Sequence, residues 1–162
     1  MLPGVSAAYD EAAKGYAEGG IPIGSVLIAS DGTILGRGHN QRIQKSSATL
    51  HAEIAALEHA GRLKASVYRE ATLVRSLSRT CSPNPPLFYS RYGSPCSMCT
   101  GAILLYKIPR VVVGENVNFM GEEELLRANG VQVTVVDDAA CKELMAKFIR
   151  DKPEEWNEDI GE

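Results

Sequence analysis

Two short stretches of this chain carry residue types suited to chemistry at a metal: His51-Ala52-Glu53 and Pro95-Cys96-Ser97-Met98-Cys99. Cys96 and Cys99 are spaced i, i+3, so a helix opened by Pro95 puts both thiols on one face of its first turn, within reach of a single ion. His51 completes a His/Cys/Cys set. Three protein ligands of this kind leave the fourth tetrahedral position of zinc open to water, which marks a catalytic ion rather than a closed structural one. Zinc lowers the pKa of its bound water towards 7 and so supplies hydroxide where free water gives almost none. Two thiolates and a neutral imidazole cancel the charge of the ion, and a hydroxide then leaves one negative charge for the surroundings to tolerate. Helix N-termini at His51 and at the cysteine pair would favour both the thiolates and the hydroxide. Glu53, beside such a centre, is the candidate catalytic group, a carboxylate able to relay protons.

Neither stretch is diagnostic alone. His-x-Glu triplets arise by chance on helix faces. A Cys-x-x-Cys pair serves redox chemistry or half of a zinc ribbon equally well. Redox use fits poorly here, because a thioredoxin-type site follows an early strand, whereas this pair comes late and has His-x-Glu upstream. A ribbon would need a second Cys-x-x-Cys, and Cys81 and Cys141 are too far apart to form one.

The elements that must bring the two stretches together can be read from periodicity. Ala8, Ala12 and Tyr16 recur at helical spacing from about Ala7 to Glu18, and Gly19-Gly20 ends the run. Ile21 to Ala29 and Thr33 to Gly38 are strands joined by a turn at Asp31-Gly32. His51 to Arg62 reads as a helix, Ala71 to Leu77 as a third strand, and Cys96 to Tyr106 as a helix stopped by Ile108-Pro109. Arg110 to Gly114 is a short buried strand. A helix near Glu122 to Ala128, a strand at Val131 to Val136 and a helix from an Asp138 cap to Arg150 complete the series. Strands alternating with helices after an opening hairpin predict an α/β fold, with a mixed, mostly parallel sheet and helices on both faces. His39 reads as structural, His59 as a solvated helix residue and Cys141 as a buried thiol.

At 162 residues the chain suits a single domain spanning 1–162. It has no apolar run long enough to span a membrane and no basic, then apolar, leader at its start. Four cysteines, two of them in metal-type spacing, suit a reducing compartment, the cytoplasm or the nucleus. A net charge of −3 argues against affinity won by neutralising phosphates, so nucleic acid is not the expected partner.

His-x-Glu together with Pro-Cys-x-x-Cys matches the known signature of zinc-dependent base deaminases. More of the chain extends it: Gly19-Gly20-Ile21-Pro22-Ile23-Gly24, Gly36-Arg37-Gly38-His39-Asn40, Ala48-Thr49-Leu50-His51-Ala52-Glu53, Ser94-Pro95-Cys96 with Met98-Cys99-Thr100-Gly101-Ala102, Val113 through Phe119, and Trp156 with Glu158 through Glu162. On these blocks the chain resembles the cytidine deaminase-like superfamily and, within it, the fungal cytosine deaminases, the tail with Trp156 and Asp159 pointing to that branch. The resemblance implies a homodimeric three-layer α/β/α sandwich with a five-stranded mixed sheet. It also implies a hydrolase of pyrimidine salvage that converts free cytosine to uracil and ammonia. It puts one Zn2+ per chain on His51, Cys96 and Cys99, with Glu53 as proton shuttle. Asn40, the backbone N–H of Ala52, the Ser94 carbonyl and Asp159 would contact the substrate, and Ile23, Phe119 and Trp156 would wall the pocket. The C-terminal segment would close as a lid.

The chain departs from that pattern in two places, one of them Asn157, which stands where an aromatic residue is usual after Trp156 and would loosen the lid. Members of the branch run from the third strand almost directly into Ser-Pro-Cys, whereas here Arg79 to Gly93 intervenes, after a strand that itself contains Arg75. A long loop costs little closure entropy, so the expectation is an outward loop and an intact site. Two rival readings follow from the same residues: a tRNA-specific adenosine deaminase, which shares the metal motif, and a catalytically impaired homologue that keeps the fold.

Overall fold

The computed structural model describes residues 3–76, 95–115 and 122–160. The expected insertion at 79–93, Ser94 and Phe119 lie outside the described residues. The chain opens with helix α1 (Pro3–Ala17) and the hairpin of β1 (Gly24–Ile28) and β2 (Ile34–His39). Then come the short helix α2 (Arg42–Lys45), α3 (Ala52–Ala60), the short helix α4 (Ala65–Tyr68), β3 (Thr72–Arg75) and α5 (Ser97–Tyr106). The series ends with β4 (Arg110–Val113), α6 (Glu123–Ala128), β5 (Gln132–Val135), α7 (Ala139–Asp151) and α8 (Pro153–Ile160). No helix among the described residues is long and apolar enough to cross a membrane.

The five strands form one sheet in the order β2-β1-β3-β4-β5. β1 pairs antiparallel with both β2 and β3, while β3, β4 and β5 pair in parallel. Four strands therefore share one direction and β1 runs against them. Side-chain alternation divides the sheet into two faces. Leu27, Leu73, Val111 and Val113 pack with Leu57 of α3, Ile103 of α5 and Leu126 of α6. Val26 and Val74 pack on the opposite face with Val5 and Ala8 of α1 and with Cys141 of α7. The result is the expected three-layer α/β/α sandwich.

Local chemistry accounts for where the elements begin. Helix α1 starts at Pro3, earlier than the apolar repeat suggests, because proline is pre-set for a first helical turn. Strand β1 starts at Gly24 rather than Ile21: Pro22 sits in a tight turn in which the Ile23 amide donates to the Ile21 carbonyl at 2.8 Å. At the hairpin tip Gly32 takes φ +90°, and Asp31 Oδ1 accepts the Thr33 amide at 2.9 Å. Asp138 caps α7 as its sequence position predicts, accepting the Cys141 amide at 3.1 Å.

Helix α3, which carries His51 at its N-cap and Glu53 in its first turn, lies very close to β2. A Cβ on Gly36 would run into the Ala56 carbonyl oxygen, and one on Gly38 would come 2.8 Å from Ala55 Cβ. Two glycines on the strand and small residues on the helix thus set the height of α3 above the sheet. Replacing Gly36 with valine should therefore force α3 away from β2 and cost about 3 kcal/mol of stability. Denaturant unfolding measures this, and a midpoint equal to the parent's would mean that the contact is not a constraint.

Candidate active site

The site is assembled where two helices begin on the same face of the sheet. His51 is the N-cap of α3 and Cys96 the N-cap of α5, each with extended ψ and neither with a side-chain cap hydrogen bond. The positive ends of two helix dipoles therefore converge on one spot. Cys99 lies one turn into α5, fully buried. Thr100 locks this turn: its amide donates to the Cys96 carbonyl at 2.8 Å and its hydroxyl to the Pro95 carbonyl at 2.9 Å.

His51, Cys96 and Cys99 meet as the motif predicts. One potential ligand atom from each lies within 4.8 Å of the others, and Cys96 Sγ is 3.4 Å from His51 Nδ1. Tetrahedral zinc with bonds of about 2.0–2.3 Å places its ligand atoms roughly 3.5–3.8 Å apart, so this donor set fits one zinc ion with small adjustments. With Nδ1 turned to the sulfurs, His51 Nε2 faces Asp159 Oδ1 at 4.0 Å. A carboxylate on the far side of a ligating imidazole fixes its orientation and raises its basicity.

The ionisation of the three groups follows from their mutual contacts. Hydrogen bonding from Cys99 and then from His51 overcomes the effect of burial on Cys96 and brings its pKa down to about 3. Cys99 goes the other way: donating to Cys96, buried, and close to the Glu53 carboxylate, it is pushed well above the ordinary thiol range, with Arg75 opposing. Burial works against protonated His51, but the bond to Cys96 and the charges of Asp159, Cys96 and Glu53 outweigh it and raise its pKa.

Of the remaining expected site residues, Ile23, Asn40, Ala52, Trp156 and Asp159 are described and lie near this centre. Ile23, Ala52 and Trp156 belong to one buried cluster with Ile21, Met145 and Phe148. Trp156 and Asp159 are one helical turn apart on α8, both buried, while Asn157 and Glu158 between them are exposed. Asn40 is buried and uses both ends of its amide: Nδ2 donates to Asp159 Oδ1 at 3.1 Å, and Oδ1 accepts the Arg42 amide at 3.0 Å. His39 is structural, buried between Glu11 and Glu18 at 3.1 and 2.8 Å. His59 is exposed, with Nδ1 accepting the Arg37 amide. Cys141 is a buried thiol, raised to about 12 by burial first and Asp138 second.

Two arginines take part that sequence reasoning assigned no role. Arg42 grips α8, with Nη1 on Asp159 at 2.8 Å and Nη2 on Glu158 at 2.9 Å. Arg75, at the carboxyl end of β3, forms an ion pair with Glu53 Oε1 at 2.9 Å, both side chains being almost wholly buried. For Arg75 a signal did exist: strand alternation puts it on the same face as Leu73, the face covered by α3 and α5. For Arg42 the partners lie more than a hundred residues away, and nothing local announces them.

This geometry agrees with comparison to known proteins. Residues 4–115 match the family model described as the cytidine and deoxycytidylate deaminase zinc-binding region, and the chain belongs to that family. Within it, the chain is 56% identical over 159 residues to a cytosine deaminase of Candida albicans, covering 98% of this chain and 95% of that one. It is 38% identical over 119 residues to a tRNA-specific adenosine deaminase of Streptococcus pyogenes, covering 73% of this chain and 65% of the relative. The fold is also that of a guanine deaminase from Nitrosomonas europaea, with a TM-score of 0.63, 19% identity, and coverage of 90% and 82%.

Because burial and the Cys96 contact keep Cys99 protonated, and the pKa of His51 is also raised, an incoming zinc ion must displace protons from the site. Affinity should therefore fall as pH is lowered, by about tenfold per pH unit for each proton displaced. Titration calorimetry in buffers of different ionisation enthalpy counts these protons, and a pH-independent affinity would contradict the arrangement.

Proposed function

We propose that this chain is a zinc-dependent cytosine deaminase that hydrolyses free cytosine to uracil and ammonia, a salvage step in pyrimidine metabolism. The observation that carries this reading is the near end-to-end identity to the Candida albicans enzyme, because it takes in the tail with Trp156 and Asp159 as well as the metal motif. Zinc, when bound by His51, Cys96 and Cys99, supplies the Lewis acid that makes water a competent nucleophile at neutral pH.

The residues of the chain do the rest. Replacing the exocyclic amine by oxygen requires one proton at the ring nitrogen and another at the departing amine, and Glu53 relays both. The uncapped Ala52 amide, at the first position of α3, is a ready donor for the ring carbonyl. Asn40 can exchange its contacts for the N–H and carbonyl edge of the pyrimidine. The Ser94 carbonyl and Asp159 receive the amine, while Ile23, Phe119 and Trp156 enclose the ring. Helix α8 closes the pocket as a lid, held by Arg42.

An RNA substrate fits less well. Helix α8, which brings Asp159 to the site, also carries Glu154, Glu155 and Glu158, and their charge repels a phosphate backbone. Reduced Cys96 and Cys99 suit a reducing compartment, the cytoplasm or nucleus. The outer face of α5 supports a homodimer: Met98, Leu105 and Tyr106 are exposed there, Leu105 by 73%, on the helix that bears both cysteines. Burying such a stripe against a second copy would steady the metal ligands as well.

Two experiments test this reading. Ammonia release should be seen with cytosine, and not with adenine, guanine or a tRNA anticodon stem; Glu53→Gln should keep its zinc and lose turnover by at least about a hundredfold. Activity on the tRNA stem alone, or an active Glu53→Gln, would refute the assignment. By sedimentation the parent should run as a dimer and Leu105→Arg as a monomer, and an unchanged mass for the variant would remove α5 as the interface.

A further inference from the structure

Arg75 stands out because its chemistry is not that of its surroundings. The two residues before it are apolar, Leu73 and Val74 being core residues on opposite faces, and a third apolar residue would continue them without cost. Instead a guanidinium is buried on the α3 and α5 side of the sheet. Its Nη1 is 2.9 Å from Glu53 Oε1, and its Nε has no hydrogen-bond partner among the described residues. A buried ion pair is seldom a more stable solution than well-packed apolar side chains, and one with an unsatisfied nitrogen is a poor one. Stability therefore does not explain the arginine.

Its placement does. The backbone on both sides is pinned in the sheet: the Arg75 carbonyl accepts the Gly114 amide at 2.9 Å, the Ser76 amide donates to the Gly24 carbonyl at 2.9 Å, and Ser76 Oγ accepts the Gly24 amide at 3.0 Å. Arg75 is thus a cation projected from a rigid strand end. Glu53 belongs to a different element, the first turn of α3, where a free carboxylate could turn among several rotamers. The ion pair ties one carboxylate oxygen to the sheet and leaves the second for proton transfer.

We propose that Arg75 is a positioning residue that holds the Glu53 carboxylate in the orientation needed for proton relay, so that turnover depends on the Arg75–Glu53 pair. The proposal rests on the reading of Glu53 as the relay. Orientation of this kind is worth large factors in rate, since small misplacements of a reacting group cost on the order of a hundredfold.

The test compares Arg75→Gln, Arg75→Lys and Glu53→Gln with the parent, measuring kcat and KM on cytosine, zinc content and thermal melting. Arg75→Gln should lower kcat by about 30-fold or more with little change in KM or zinc content. Arg75→Lys, which keeps the charge but not the fork, should recover part of that loss and stand three- to tenfold below the parent, roughly. In zinc-free protein, combining Arg75→Gln with Glu53→Gln should restore part of the melting temperature lost by either change alone, because the double variant leaves no buried charge unpaired. Parental kcat in Arg75→Gln would overturn the proposal while leaving the deaminase reading intact. A fully active Glu53→Gln would instead remove the reading on which it rests. If Arg75→Gln is insoluble, Arg75→Lys decides: a lowered kcat at constant KM supports positioning, and a parental kcat overturns it.

Discussion

Two helices start, uncapped, over the carboxyl end of the same sheet face, and the rest of the molecule is arranged to make that possible. Uncapped amides and converging dipoles are a cost unless negative charge is brought to them. Here the charge comes from the side chains at the helix starts themselves, a Cys96 thiolate and the Glu53 carboxylate. The parallel pairing of β3 with β4 brings α5 back across the sheet, and the glycines of β2 let α3 settle beside it. The ligands meet because the layers pack this tightly.

The charge balance explains why the site is ringed by two arginines. Thiolate, Glu53 and Asp159 all lie within a small buried volume, and like charges so placed repel strongly in a medium that screens poorly. Arg75 answers Glu53 from below, out of the sheet. Arg42 answers Asp159 and Glu158 from the side and in doing so brings α8 against the pocket. Burial of Arg42 favours its neutral form, but the two acids outweigh this and raise its pKa further. The last helix is thus held to the first half of the chain by electrostatics in addition to the apolar seat of Trp156.

Much of this was legible from sequence because the informative signals are local. His-x-Glu and Cys-x-x-Cys each fall within a single helical turn, so their spacing alone states which atoms face together. Longer elements announce themselves by repeat and by punctuation, as Asp31-Gly32 and Asp138 do. What escaped notice is either too short or too distant. Helices α2 and α4 are single turns with no period to detect. Helix α8 has its start signal in Pro153 and two glutamates, but among its described side chains only Trp156 and Asp159 are buried, too sparse a pattern to stand out. The partners of Arg42 depend on how α8 docks, which is not written in the neighbouring residues, whereas for Arg75 the alternation of β3 shows the face it enters but not that Glu53 waits there.

The salt link between β3 and α3 also limits which side chains the two positions tolerate. Once opposite charges share a dry interior, deleting either leaves its partner stranded at a penalty of about 3–5 kcal/mol, a large part of what a small domain has to spare. A lone exchange at either position is therefore harder to accommodate than a matched exchange of both.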